Sequence, residues 1–178
     1  GYVWRRPYSD PLANALLELG RRVAAEGLQW QGAVTDLLRR EPPRLLLGHT
    51  GLLRRHGESS LDAAIRLAKK LDHSVLPIQG PPGTGQTYVG ARVILTRVRE
   101  GKRVGVTAVS HKVIENLLLA AQTAAREAGV PLTVAHKGAD PETISDTYES
   151  IGTRDSPLTF MDEGKLVGGT AWLWADPD

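Results

Sequence analysis

Residues 80 to 87 read Gly80-Pro81-Pro82-Gly83-Thr84-Gly85-Gln86-Thr87, a glycine spacing that suits the holding of phosphate. Glycines let the backbone fold into a concave nest, so that successive N–H groups and the positive end of the following helix point at phosphate oxygens. Thr87 then places its hydroxyl on the Mg²⁺ that accompanies a nucleotide. Loops of this type carry a lysine just before that hydroxyl, and here the residue is Gln86. A neutral amide still donates hydrogen bonds but brings no charge, a difference on the order of 1–2 kcal/mol in the ground state. Charge develops on a phosphoryl group in transfer, and losing one preorganised contact to it costs about a hundredfold or more in rate. The residues therefore predict a cradle that holds a nucleotide's phosphates and Mg²⁺ weakly and hydrolyses poorly. An ordinary strand-to-helix turn is the plainer alternative, since glycine and proline favour that too.

Such a loop needs a strand before it and a helix after it. Val75 to Ile78 reads as a short buried strand, and Thr87 to about Glu100 as a helix with Val89, Val93 and Ile94 inward, closed by Gly101. The alternation then repeats, which is the signature of βαβ units and a parallel sheet. Val104 to Ala108 is the next strand. Ser110 caps a helix carrying Ile114, Leu117, Leu118 and Ala121, which Gly129 and Pro131 stop. Leu132 to Ala135 is a third strand, Gly138 to Gly164 a long loop or insertion rich in Gly, Pro, Ser, Thr and Asp, and Lys165 to Trp174 a fourth strand. Upstream, Asp10-Pro11 opens an amphipathic helix with Leu12, Leu16, Leu19 and Val23 on one face, ending at Gly27. Leu45-Leu46-Leu47 reads as a short strand. Ser59 with Asp62 forms a capping box for a helix whose face is Leu61, Ala64, Ile65, Ala68 and Leu71.

The chain has 178 residues, enough for one domain that needs no disulfide or metal staple. It contains no cysteine, which excludes a disulfide framework and any thiolate metal site and fits a reducing, cytoplasmic setting. No apolar run approaches the roughly 20 residues that span a bilayer, and the start Gly1-Tyr2-Val3-Trp4-Arg5-Arg6 lacks the apolar stretch of a signal peptide. No membrane partner is expected. The missing initiator methionine and the end at Asp176-Pro177-Asp178 imply a piece of something longer. Net charge is +2, unevenly spread: residues 1–137 hold 20 Lys and Arg against 11 Asp and Glu, whereas 138–178 hold 2 against 9. Basic dyads recur at Arg5-Arg6, Arg21-Arg22, Arg39-Arg40, Arg54-Arg55 and Lys69-Lys70, a distribution that attracts nucleic acid without reading its sequence. A solvated surface is the simpler reading of any single dyad.

The run Ile78-Gln79-Gly80-Pro81-Pro82-Gly83-Thr84-Gly85-Gln86-Thr87 resembles motif I, the Walker A loop, of the superfamily 1 helicases related to the nonsense-mediated-decay helicase, in which the double proline is typical. Gly101 to Lys112, followed by Ile114, Glu115, Asn116 and Leu117, is similar to motif Ia, which touches the sugar-phosphate backbone of a single strand. Val167-Gly168-Gly169-Thr170-Ala171 resembles the strand and threonine that precede Walker B. With Leu61-Asp62-Ala63-Ala64 and Leu71-Asp72-His73-Ser74, the closest resemblance is to bacterial RecB-like nucleases fused to such a helicase. It covers about residues 60–175. It implies an α/β fold, a partial RecA-like P-loop NTPase domain over 60–178 with a parallel sheet flanked by helices, behind a mainly helical extension over 1–59. It implies ATP and Mg²⁺ at Gly80, Pro81, Pro82, Gly83, Thr84, Gly85, Gln86 and Thr87. It also implies single-stranded DNA or RNA at Thr107, Ser110, His111, Lys112 and Thr170, and the remainder of a helicase chain, with a second motor domain and a fused nuclease, as partners.

The motor so implied is incomplete, since the Walker B carboxylates, the arginines that sense the third phosphate and the second motor domain are missing. Leu158-Thr159-Phe160-Met161-Asp162-Glu163 is the one local candidate for Walker B, but it is short and lies in the polar insertion; Asp176 and Asp178 are weaker. The histidines at 49, 56, 73, 111 and 136 are scattered without ligand spacing. Trp172 and Trp174 share one face of the expected strand, where core packing outweighs base stacking. Two readings stay open: the nucleotide-binding part of an ATP-dependent helicase, inactive alone, and a degenerate module that binds nucleotide or nucleic acid without hydrolysis.

Overall fold

Helix signals in the chain are local and strong. In a computed structural model that describes residues 10–48, 51–81, 83–152 and 155–175, they produce most of the architecture. Pro82, Arg5-Arg6, His49, Asp176 and Asp178 lie outside the described residues. Helix α1 spans Asp10–Glu26 and lies against the last helix. Leu12, Leu19 and Val23 are half-buried there, but Leu16 is 69% exposed, so the expected apolar face is only partly used. Helix α2 is Ala33–Arg39. Its buried Asp36 accepts from Arg44 (2.9 Å) and from the Ser74 hydroxyl (2.5 Å), which ties α2 to the segment leading into the glycine loop. Helix α3, Ser60–Lys70, starts on the predicted box: Ser59 Oγ accepts from Asp62 N at 3.0 Å and donates to the Asp62 carboxylate at 2.6 Å. Arg66 of α3 donates to both carboxylate oxygens of Glu58 (2.6 and 2.7 Å) and to Leu53 O, holding the preceding loop against the helix. The hydrogen bonds from Arg66 pull the Glu58 carboxyl down to a pKa of about 2.

Helix α4 is Gln86–Arg99 and α5 is His111–Glu127; they pack on each other, and α3 also packs against α4. Four strands, β1 (Gly105–Val106), β2 (Val134–His136), β3 (Tyr148–Ser150) and β4 (Leu166–Gly168), form a sheet ordered β1-β4-β2-β3 with every pairing parallel. Helices α6 (Pro157–Asp162) and α7 (Ala171–Ala175) complete the set. The chain is thus an α/β protein with a four-stranded, all-parallel sheet flanked by helices.

Strand side chains alternate between faces, and the register sorts them. Val106, Val134 and Leu166 join Ala91, Ile94, Leu95, Ile114, Leu118 and Ala121 in one buried cluster, whereas Ala135 and Val167 join Ile151, Met161 and Leu173 in another. One face is therefore covered by α4 and α5, the other by α6 and α7. Glycines set the closeness of both layers. A Cβ on Gly168 would lie 2.7 Å from both Ile114 and Leu118 of α5, and one on Gly105 would lie 2.5 Å from the Trp174 ring. Among the described residues no helix is long and apolar enough to cross a membrane.

Several expected strands fail. Val75 to Ile78 pairs with nothing among the described residues, and Ile78 is 51% exposed. Pro77 interrupts this run and has no N–H to give a ladder. Of Leu45-Leu46-Leu47 only Leu45 bridges, antiparallel to Leu71; Leu47 has φ 71° and is fully exposed, which stops any extension. The expected loop 138–164 holds a 3₁₀ turn (Pro141–Thr143), strand β3 and helix α6. Lys165 to Trp174 is not one strand: β4 ends at Gly168, Leu173 N returns to Thr170 O (3.0 Å), and the tryptophans sit on α7. Trp174 still packs on the sheet, its indole N–H donating to Gly169 O (3.1 Å).

Candidate nucleotide and nucleic-acid sites

The glycine loop is built by backbone torsions that only glycine adopts at little cost. Gly83 and Gly85 have φ of 82° and 83°, in the left-handed region. Gly85 is the residue before α4, and no side chain caps that helix. Inside the loop, Thr84 Oγ1 donates to Pro81 O (2.7 Å) and Gln86 Nε2 donates to Gly80 O (2.7 Å). Gly80 lies so close beneath them that a Cβ there would sit 2.7 Å from Thr84 Oγ1 and 3.2 Å from Gln86 Cγ. Thr87 is exposed in the first turn of α4. Next to it, the Arg92 guanidinium stacks 3.3 Å from the centre of the Tyr88 ring and pairs with Glu127 of α5 (2.9 Å). The loop is therefore closed on itself by its own side chains, with the amide at the lysine position turned back onto the loop carbonyl.

The second set of residues gathers at the carboxyl ends of the strands, the edge where open α/β sheets bind ligands. Thr107 follows β1 and is exposed; Ser110 caps α5, its Oγ accepting from Val113 N (3.3 Å); His111 and Lys112 are exposed in the first turn. Gly169 N donates to Val106 O (3.0 Å), so half-buried Thr170 stands at the same edge as Thr107. Lys112 pairs with the buried Glu115 at 3.3 Å. No hydrogen bond joins this group to the glycine loop among the described residues.

At that edge lie two residues that the sequence did not single out for a site. His136, the last residue of β2, is fully buried, its Nε2 3.5 Å from His111 Nδ1 and its Nδ1 3.0 Å from the Tyr148 hydroxyl. Burial, and to a lesser degree His111, hold the His136 pKa below its usual value against the pull of Glu115. Burial, with Glu115, pushes the Tyr148 hydroxyl up to about 12. The only advance sign was His136 at the end of an apolar run, since its partners come from 25 residues upstream and 12 downstream.

The segment weighed and disfavoured as Walker B is not a strand. Leu158 to Asp162 lies in helix α6, started by Ser156 Oγ accepting from Leu158 N (3.3 Å) with Pro157 in the first turn, not in a strand. Asp162 pairs with Arg103 and Glu163 with Lys165 (2.8 Å). Among the described residues no group of three or more His, Cys, Asp or Glu side chains is placed to hold a metal ion. No family model, curated protein or solved structure matches the chain.

Proposed function

We propose that Gly80 to Thr87 is a phosphate cradle of the P-loop NTPase kind, belonging to the first motor domain of a superfamily 1 helicase, and that Thr107, Ser110, His111, Lys112 and Thr170 contact single-stranded DNA or RNA. The observation that carries this is the pair of left-handed glycines, Gly83 and Gly85, opening onto a 14-residue helix that no side chain caps. Backbone N–H groups at such a helix start favour an anion. The residues fit MgATP in type: loop amides and the α4 N-terminus for phosphate oxygens, and the Thr87 hydroxyl for Mg²⁺. When bound, Mg²⁺ would neutralise phosphate charge; the chain's own part is to orient the phosphates. Gln86 donates to Gly80 O and carries no charge, so it must leave that carbonyl before it can reach a phosphate, and the cradle is weak.

That same bond favours a second reading, a module that binds nucleotide without hydrolysing it. Calorimetric titration of MgATP into the chain and into Gln86→Lys, with phosphate release followed in the same samples, tests both. Binding tighter by about fivefold or more in the lysine form supports the cradle. Turnover gained by Gln86→Lys overturns the non-hydrolysing module, whereas tighter binding without turnover fits either reading, because the motor part is inactive alone. If neither form binds at millimolar nucleotide, the cradle is wrong for this chain.

A further inference from the structure

Tyr148, His136 and His111 come from β3, β2 and α5 and form a line from the sheet interior to the surface. Tyr148 and His136 are buried, His111 is exposed, and the two imidazole rings lie 5.5 Å apart, tilted by 47°. A neutral imidazole has one donor and one acceptor nitrogen, so the chain has a direction. Phenol is the better donor and imidazole nitrogen the better acceptor, and burial keeps the proton on Tyr148 and off His136. The Tyr148 hydroxyl therefore donates to His136 Nδ1, His136 Nε2–H donates to His111 Nδ1, and the proton of neutral His111 is left on Nε2. The charged or titratable groups around these rings are Glu115 and Lys112 of α5, with Lys137 beside His136 committed to Gly152 O. On the other side the His111 ring rests against Gly138, where a Cβ would come within 2.5 Å of Cε1. A side chain at 138 would thus push the ring off His136.

We propose that Tyr148 and His136 are positioning residues that fix His111 as its Nε2–H tautomer and orient its ring, so that His111 offers a neutral hydrogen-bond donor to the sugar-phosphate backbone of a single strand. This rests on the reading that the α5 turn contacts nucleic acid, and it assigns that contact a mechanism. An imidazole held by a neighbour in one tautomer and one orientation loses less freedom on binding than a mobile one.

The test combines nitrogen NMR of the histidine rings with binding of a fluorescent single-stranded oligothymidylate. In the wild-type chain, the neutral forms of both His111 and His136 should carry their proton on Nε2, and oligothymidylate should shift the His111 ring resonances. The double variant His136→Leu/Tyr148→Phe keeps the interior apolar and leaves no orphaned hydroxyl. In it, the His111 nitrogens should average toward those of free histidine and affinity should fall about three- to tenfold. His136→Gln, whose amide accepts from Tyr148 and donates to His111, should restore affinity to within about twofold of wild type. A proton on Nδ1 of His111 in the wild type, or unchanged His111 resonances in the double variant, overturns the chain. Correct tautomers with no response to oligothymidylate leave the chain standing and overturn the nucleic-acid contact instead.

Discussion

The starts of α4 and α5 are both candidate anion sites, and they are made by opposite means. The α4 start is a backbone object: two left-handed glycines, no side-chain cap, and an amide and a hydroxyl folded back onto loop carbonyls. The α5 start is a side-chain object, capped by Ser110 and backed by a buried histidine and tyrosine from two strands. A site of the first kind is set by torsions within eight residues. One of the second kind exists only once the sheet has formed.

Glycine substitution separates the two most strongly. Gly168→Ala puts a methyl group 2.7 Å from Ile114 and Leu118, so α5 must move off the sheet. Overpacking of this sort should lower stability by about 2–3 kcal/mol in urea unfolding, and should blur the His111 tautomer while sparing nucleotide binding by the folded chain. Gly83→Ala meets nothing within 4 Å and suffers only from its φ of 82°. It should lose about 1 kcal/mol of stability, yet weaken MgATP binding while leaving the histidine chain intact. Equal effects of the two variants on both sites, measured by calorimetry and NMR, would erase the distinction.

Acid has the mildest effect. Folding buries His136 neutral, with its pKa below the ordinary 6.5. Between that lower value and 6.5 the unfolded chain binds a proton that the folded chain does not. This contribution to stability is therefore whole above about 6.5 and fades as pH falls through the window below it. His136→Gln should flatten the fall, which urea midpoints on either side of pH 6.5 would show. The glycine loop holds no titratable residue, so its torsions carry no matching dependence.

What was legible in the sequence follows the same division. The Ser59 box, the Ser110 cap and the glycine spacing are local signals, and α3, α5 and the loop torsions stand where those signals put them. Strands were harder, because a run of two or three residues is a strand only if a neighbour pairs with it. Val75 to Ile78 was sufficiently apolar but has Pro77 and no paired neighbour among the described residues. Tyr148 was hidden in a polar stretch and gained its place from β2 and from Gln122 of α5, which donates to Thr147 O (2.8 Å). The apolar run after Lys165 misled through its length, since Gly168 and Gly169 end the strand and the tryptophans continue as a helix. For the same reason the glycine loop could be found from spacing, and the His136 chain could not.

The strand order β1-β4-β2-β3 also fixes a sequence of events in the life of the chain. During synthesis β1, β2 and β3 emerge first, yet β1 has no place beside β2 until Leu166 to Gly168 arrives to lie between them. β4 is thus a late keystone. A nascent chain stopped short of residue 166 would hold β2 and β3 as one pair and β1 as a separate strand, with the apolar sides of α4 and α5 uncovered. Formation of the complete sheet therefore waits on the exit of β4 from the ribosome.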